Sequence, residues 1–135
     1  MTRKVFPVLL AVLLAAALVF ACAPLSQASP GWSATLNISP DPLSNNAHPQ
    51  IALDAAGNPH VVWYGEGIDT VTRVYYSENT GSGWTTPVSI SGEATQNDSP
   101  QITLDSAGNP HVVWYGREGG SVWRVFYSEN TGSGW

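Results

Sequence analysis

Pro49-Gln50-Ile51-Ala52-Leu53-Asp54-Ala55-Ala56-Gly57-Asn58-Pro59-His60-Val61-Val62-Trp63-Tyr64 returns, almost unchanged, as Pro100-Gln101-Ile102-Thr103-Leu104-Asp105-Ser106-Ala107-Gly108-Asn109-Pro110-His111-Val112-Val113-Trp114-Tyr115. The copying runs on to Trp84 and Trp135, so that 36 positions align at a shift of 51 residues without a gap, 27 of them identical. A period near 50 in sequence rich in β-branched and aromatic residues marks repeated β-sheet units such as propeller blades.

Each copy divides into strands at its turn residues. Gln50 to Asp54 alternates apolar and polar side chains, and Ala55-Ala56-Gly57-Asn58-Pro59 turns the chain. His60 to Tyr64 is a β-branched and aromatic run, the pattern of a strand covered on both faces. After a variable stretch, Gly65 to Thr70, a third strand is predicted from Val71 to Ser77, a tight turn from Asn79 to Gly83, and a fourth strand from Trp84 to Ser91. Four antiparallel strands make one blade. The second copy contains three of them and reaches Trp135, where its fourth would begin, while Trp32 to Ser39 resembles the fourth strand of the first copy with no three before it. The expected fold is therefore all-β, two four-stranded antiparallel repeats of 51 residues, permuted by one strand as a partial propeller.

Ser77-Glu78-Asn79-Thr80-Gly81-Ser82-Gly83-Trp84 fits the pattern Ser-x-Asp/Asn-x-Gly-x-x-Trp, and Ser128 to Trp135 fits it again. This Asp-box resembles that of the sialidase-like (BNR repeat) propeller family, in which it occupies the turn between a blade's third and fourth strands. The likeness covers roughly residues 32–135. Its defined positions here are Ser77, Asn79, Gly81 and Trp84, and Ser128, Asn130, Gly132 and Trp135. An Asn side chain accepts hydrogen bonds from turn amides, glycines take backbone angles other residues resist, and the Trp covers the turn. The resemblance implies a structural box at the periphery, away from any ligand.

Chemistry is harder to find. His60 and His111 share one register, as do Asp54 and Asp105 before their Gly-Asn turns. A residue repeated at one position of every unit answers a structural need, so these are expected to serve the fold, and no metal site is expected from their spacing. Trp63 and Trp114 read as packing between sheets, with Tyr64 and Tyr115 beside the variable loop. An enzyme of the resembling family clamps its substrate carboxylate with three arginines from different blades, whereas Arg73, Arg117 and Arg124 are all that follow the leader and two of them are repeat positions. No complete catalytic constellation and no cofactor site is read from this chain. What differs between the copies is more informative. Glu66-Gly67-Ile68-Asp69-Thr70 becomes Arg117-Glu118-Gly119-Gly120-Ser121, and Thr72 becomes Trp123. Loops on a rigid scaffold carry binding, so Tyr64, Glu66, Asp69, Tyr115, Arg117, Glu118 and Trp123 are the candidate ligand residues, against the alternative of drift in an exposed turn.

The start of the chain is a targeting segment. Thr2-Arg3-Lys4 is basic, and Val5 through Ala21 is apolar apart from Pro7, the signature of a secretory signal. Val19-Phe20-Ala21-Cys22 resembles a bacterial lipobox, with Phe20 departing from the pattern, and would make Cys22 a lipidated N-terminus. Ser26-Gln27-Ala28 offers ordinary cleavage instead, and the apolar run is just long enough for a retained anchor. Residues 1–28 are thus the signal and 29–135 the repeat module. Cys22 is the sole cysteine, so the module has no disulfide. Past residue 28, ten acidic residues face three arginines, a balance that repels phosphate backbones and argues against nucleic acid. Asn37-Ile38-Ser39 and Asn97-Asp98-Ser99 are N-glycosylation patterns, relevant in a eukaryotic host alone.

These features together predict an exported, membrane-anchored module that binds glycan or protein or acts as a scaffold. The alternative is the N-terminal part of a sialidase-like glycoside hydrolase whose catalytic residues lie on further blades. Two blades leave open edges, so either further repeats or a homo-oligomer formed by strand exchange is expected to complete the propeller. For export, labelled fatty acid fed to the producing cells should enter the chain and be lost in Cys22→Ser. A soluble mature form starting near Ser29 would remove the lipid while leaving export intact.

Overall fold

The computed structural model describes residue 31 and residues 33–39, 44–92 and 94–135; the leader, Cys22 and Trp32 lie outside them. The chain divides into two units, Met1–Ala34 and Thr35–Trp135, and the strands all belong to the second. Among the described residues they are β1 (Ser44–Leu53), β2 (Pro59–Glu66), β3 (Thr72–Glu78), β4 (Val88–Ser89), β5 (Gln96–Leu104), β6 (Pro110–Arg117) and β7 (Arg124–Glu129). They form two antiparallel sheets, β1-β2-β3-β4 and β5-β6-β7, each joining neighbours in sequence order. The fold is all-β.

Asp54 shows why the first turn is tight. Its Oδ1 accepts the Ala56 and Asn58 backbone N–H groups at 2.9 and 2.7 Å, and its Oδ2 accepts Asn58 Nδ2 at 2.8 Å. Asp105 repeats this set on Ala107 and Asn109. Gly57 and Gly108 supply the positive φ (85° and 86°) that the turn requires. At the same end of the sheets, Asn79 Oδ1 accepts the Gly81 N–H at 2.9 Å, and Asn130 Oδ1 accepts those of Gly132 and Gly134. Ser77 is fully buried and its hydroxyl donates to the Thr85 carbonyl at 2.8 Å, tying the chain beyond the turn back to β3.

Strand bounds differ from the sequence expectation most at the starts of β1 and β5, in the fourth strand and over residues 33–39. β1 begins six residues before Gln50, and β5 likewise begins before Pro100. The added residues are mostly polar and include Pro49, and their pairing with the next strand is broken by register shifts between Ser44 and Ala47, Ala47 and Gln50, and Asp98 and Gln101. Alternation cannot reveal such bulged pairing, because a bulge resets which face a side chain takes. The predicted fourth strand contracts to Val88–Ser89, paired with Tyr76 and Tyr75, with an isolated bridge from Asn79 to Trp84. Residues 33–39, expected as a strand, form none.

One core joins the sheets. Val62, Val74, Tyr76 and Ile90 of the first meet Val112 and Trp114 of the second, with Ile102, Phe126 and Trp135 packed around them. The Trp135 ring meets Tyr76 edge-on at 4.8 Å. The opposite face of the first sheet, Val61, Trp63 and Tyr75, is covered by Ile38 and the half-buried Trp84. The opposite face of the second sheet has no such cover among the described residues, and Val113, Val125 and Tyr127 are exposed.

Asn97 links core to edge. It is 2% exposed; its Oδ1 accepts the Trp114 indole N–H at 2.8 Å, and its Nδ2 donates to the Thr72 and Ala94 carbonyls. Its backbone N–H donates to Thr72 Oγ1 at 2.7 Å. Asn46, its counterpart 51 residues earlier, is exposed and accepts one bond, from Trp63. Asn97→Ala should therefore destabilise the chain by about 2–3 kcal/mol, through buried groups left unpaired. Asn46→Ala should cost under about 1 kcal/mol, and denaturant titration that finds the two equal would refute this account of the interface.

Candidate functional site

Both repeats bring the same two pieces of chain to one end of the sheets: the bulged start of β1 or β5, and the loop that follows β2 or β6. Four non-glycine residues among those described have positive φ. Three lie in the bulges, Asn45 (54°), His48 (50°) and Ser99 (47°), and the fourth, Thr70 (59°), lies in the first loop. Side chains disfavour this conformation, and its concentration at one end is typical of ligand-facing surfaces.

At this end His48 Nδ1 lies 2.9 Å from Asp98 Oδ1 and 3.1 Å from Ser99 Oγ. Ser99 Oγ donates to the same carboxylate, and the Tyr115 hydroxyl donates to Asp98 Oδ2 at 3.2 Å. An ionised carboxylate only accepts, so Nδ1 carries the ring proton and Nε2 is the acceptor of the neutral ring. His48 meets the Tyr64 ring edge-on at 5.2 Å. The trio of Ser99, His48 and Asp98 is not a nucleophilic triad: serine and carboxylate share one ring nitrogen, whereas a relay needs the serine on the other.

The two loops have diverged in a way that decides what each can do. In the first, Arg73 donates to both oxygens of Asp69, at 2.9 Å to Oδ1, and Asp69 Oδ1 also accepts the Val71 N–H. The Gly67 N–H donates to the Val71 carbonyl at 2.9 Å, and a Cβ on Gly67 would lie 2.6 Å from Asp69 Oδ1. This loop is latched on itself. Glu66 is similarly engaged, accepting Asn45 Nδ2 at 2.8 Å. In the second loop Gly120 stands where Asp69 was, and neither Arg124 nor Arg117 forms an ion pair among the described residues. Arg117 instead lies over the Trp123 ring, 5.3 Å from its centre, and Trp123 meets Tyr115 edge-on at 5.1 Å. Tyr115 and Trp123 are 39% and 47% exposed and line a shallow cavity of about 410 Å³ with Arg124 and Val125.

Of the residues singled out in the sequence, Tyr115, Arg117 and Trp123 thus converge. Glu118 is exposed on the same loop, and Tyr64 adjoins through His48. Asp69 and Glu66 are held by neighbours. Sequence reasoning missed His48, Asp98 and Ser99. Position 48 lies just outside the repeated stretch, where His48 and Ser99 differ, and only the stacking of the sheets brings these residues together.

A second network is common to both sheets. His60 Nδ1 lies 2.6 Å from the Tyr76 hydroxyl, which donates to Glu78 Oε2 at 3.1 Å. His111, Tyr127 and Glu129 repeat it at 2.7 and 2.6 Å. These Tyr–Glu pairs sit two residues apart on one strand face, where the sequence could have revealed them. Burial first, then the Glu78 charge, pushes the Tyr76 phenol well above its ordinary range, and the hydrogen bond to Glu129 raises Tyr127. A nucleophilic phenol needs the opposite shift, so the network reads as strand-to-strand fastening. At the far end of the hairpins a cavity of about 540 Å³ is lined by Asp54, His60, Glu78 and Asp105. Both aspartates there are committed to turn amides, and the Asn109 side chain foremost holds the Asp105 carboxyl down at about 2. No group of metal-ligating side chains occurs among the described residues.

No family model matches the sequence, and no curated protein matches it. The class of protein is therefore defined by the molecule itself: an all-β chain of two antiparallel sheets joined by one core, with a polar and aromatic cluster across one end of both.

The latch gives a measurable pH signature. Arg73 beside Asp69 holds that carboxyl at about 2, below its ordinary 3.8. A carboxyl lowered in the folded state contributes above its unfolded pKa and loses that contribution as pH falls through the folded one. The latch is thus complete above about pH 4 and lost toward pH 2. NMR titration should place Asp69 near 2 in the native chain and return it toward about 4 in Arg73→Ala; a native midpoint near 4 would mean that the latch does not hold in solution.

Proposed function

We propose that this chain is a pair of β-propeller blades of the sialidase-like kind, exported and held at the membrane through Cys22, and that it binds carbohydrate without processing it. The blade assignment is supported by the repeat of 51 residues, the sequential antiparallel order of the strands and the Ser77–Trp84 turn between β3 and β4. The observation that carries the binding role is the convergence of Tyr115, Trp123 and Arg117 beside Asp98 on the unlatched second loop. Exposed aromatic rings offer flat apolar surface to the C–H face of a sugar, and their desolvation supplies the attraction. Asp98 accepts from sugar hydroxyls, and the Arg117 guanidinium donates to them. Sugar sites combine such groups in shallow, partly open cavities. Each single site is weak, and several on one surface act together.

A panel of neutral and acidic oligosaccharides, immobilised and then titrated in solution by calorimetry, tests the assignment. At least one sugar class should bind, with Trp123→Ala lowering affinity roughly tenfold or more as an anchoring aromatic is removed. Ile68→Glu on the latched loop should leave affinity within about twofold. Absence of binding to every sugar at millimolar concentration, or binding that Trp123→Ala does not weaken, would sink it.

A further inference from the structure

The end of the sheets opposite the variable loops has charge of one sign. Among the described residues the arginines all lie at the loop end: Arg73 opposite Gly65, Arg124 opposite Gly116, and Arg117 at the close of β6. The hairpin-turn end holds Asp54, Glu78, Asp105 and Glu129, with no arginine or lysine among the described residues. Asp54, Glu78 and Asp105 line the cavity of about 540 Å³ there, which has the first turn of each sheet in its wall. Acidic residues by themselves select no ligand, and the two aspartates already accept turn N–H groups. The side chain that gives this cavity a chemical preference is His60.

His60 is 5% exposed and forms part of the cavity wall. The Tyr76 hydroxyl gives its one proton to Glu78 Oε2, so His60 Nδ1, 2.6 Å from that hydroxyl, is the donor of their bond. The neutral ring then has its lone pair on Nε2, which has no hydrogen-bond partner among the described residues. Tyr76 covers the Nδ1 edge and is not part of the cavity wall, so the Nε2 edge is the one that faces the cavity. Glu78 is alike: Oε2 is engaged by Tyr76, and Oε1 has no partner among the described residues. A buried acceptor calls for a donor. A divalent ion needs several free oxygens, and no group of metal-ligating side chains occurs among the described residues. Beside these polar atoms the wall is apolar, with Leu53, Ala56, Leu104 and Ala107.

We propose that this cavity is a second binding site and takes a primary alkylammonium group, the head donating to His60 Nε2 and Glu78 Oε1 and the stem lying along Leu53 and Leu104. An ammonium has three N–H donors and no acceptor, which suits a space whose free polar atoms accept. The Asn58 side chain foremost keeps the Asp54 carboxyl low, as Asn109 does for Asp105, so both stay charged in neutral solution and attract the head without releasing their turns. Leu53 is 62% exposed, and an alkyl stem lies on such a surface while its charged head stays among polar groups. A neutral hydroxyl reaches the same imidazole but draws nothing from the three carboxylates. A guanidinium has its donors fixed in one plane and suits a single carboxylate, whereas here one nitrogen and one oxygen come from different strands. The same chemistry is present in a free amine and in the lysine side chain of a protein. The site is independent of what the loop end binds.

The full chain, purified in mild detergent, should bind butylamine in calorimetry with a millimolar or lower dissociation constant, and butanol roughly tenfold or more weakly, as a charge-assisted bond is lost. In NMR the His60 ring nitrogens should shift on addition of butylamine while those of His48, at the other end, stay in place. Glu78→Gln should lower the affinity roughly tenfold. Ser106 is exposed and lines the cavity, so Ser106→Lys supplies a competing ammonium without disturbing the core and should weaken binding as much. Ser106→Gln should stay within about twofold, and this pair decides the matter where Glu78→Gln does not fold. A lysine tripeptide with blocked ends is the second probe: tighter binding than butylamine identifies a protein side chain as the source, weaker binding a free amine, and either sustains the proposal. No binding of either probe at millimolar concentration, equal affinity for butanol, shifts at His48 in place of His60, a folded Glu78→Gln chain of unchanged affinity, or Ser106→Lys binding like Ser106→Gln would overturn it.

Discussion

The Trp114 indole is the constraint on which the rest depends. Its ring is sandwiched in the core shared by the two sheets, 5.8 Å from Phe126, and its N–H cannot reach water. A buried N–H needs an acceptor, and Asn97 provides it. That choice then commits Asn97 Nδ2 to Thr72 and Ala94, which draws the start of β5 onto the start of β3. The next two residues are Asp98 and Ser99. Core packing thus delivers the carboxylate to the place where His48 and Tyr115 meet it, with the bulge between Asp98 and Gln101 turning it outward. The rigid part of the molecule and its candidate binding end are joined by one side chain.

The division between repeated and unrepeated chemistry has the same origin. His60, Tyr76 and Glu78 and their counterparts form the same network in both sheets, as do Asp54 and Asp105 in their turns. These are conditions for making a sheet of this kind at all. The loops after β2 and β6 obey no such condition. One has become a closed ion-paired turn, and the other has lost the carboxylate and gained Trp123.

Much of the fold was legible in the sequence because its period is long and nearly error-free. The hairpin turns were written in Asp-x-x-Gly-Asn-Pro and the inner strands in His-Val-Val-Trp-Tyr. The bulged starts of β1 and β5 were not legible, since Asn45, Asn46, His48 and Pro49 have low strand propensity and pair irregularly. The fourth strand is shorter than expected: Trp84 and Thr85 make a lone bridge and one backbone bond to β3 and its turn, Pro87 has no N–H to give, and the ladder of Val88–Ser89 forms only after it. Half of the candidate site was visible as divergence between copies. The other half, His48 with Asp98 and Ser99, required knowing that the second sheet lies on the first.

Near-identity of neighbouring repeats carries a hazard during folding, because a strand of one copy can pair with the hairpin of the other. The bond from the Asn97 N–H to Thr72 Oγ1 runs from the second sheet to the first and depends on which hairpin lies beneath β5. Position 123, which a misregistered chain would present instead of position 72, holds a tryptophan that has no side-chain acceptor. The difference between positions 72 and 123 therefore gives the stack of repeats a direction, because of the two hairpins the first offers the start of β5 the hydroxyl acceptor and the second does not.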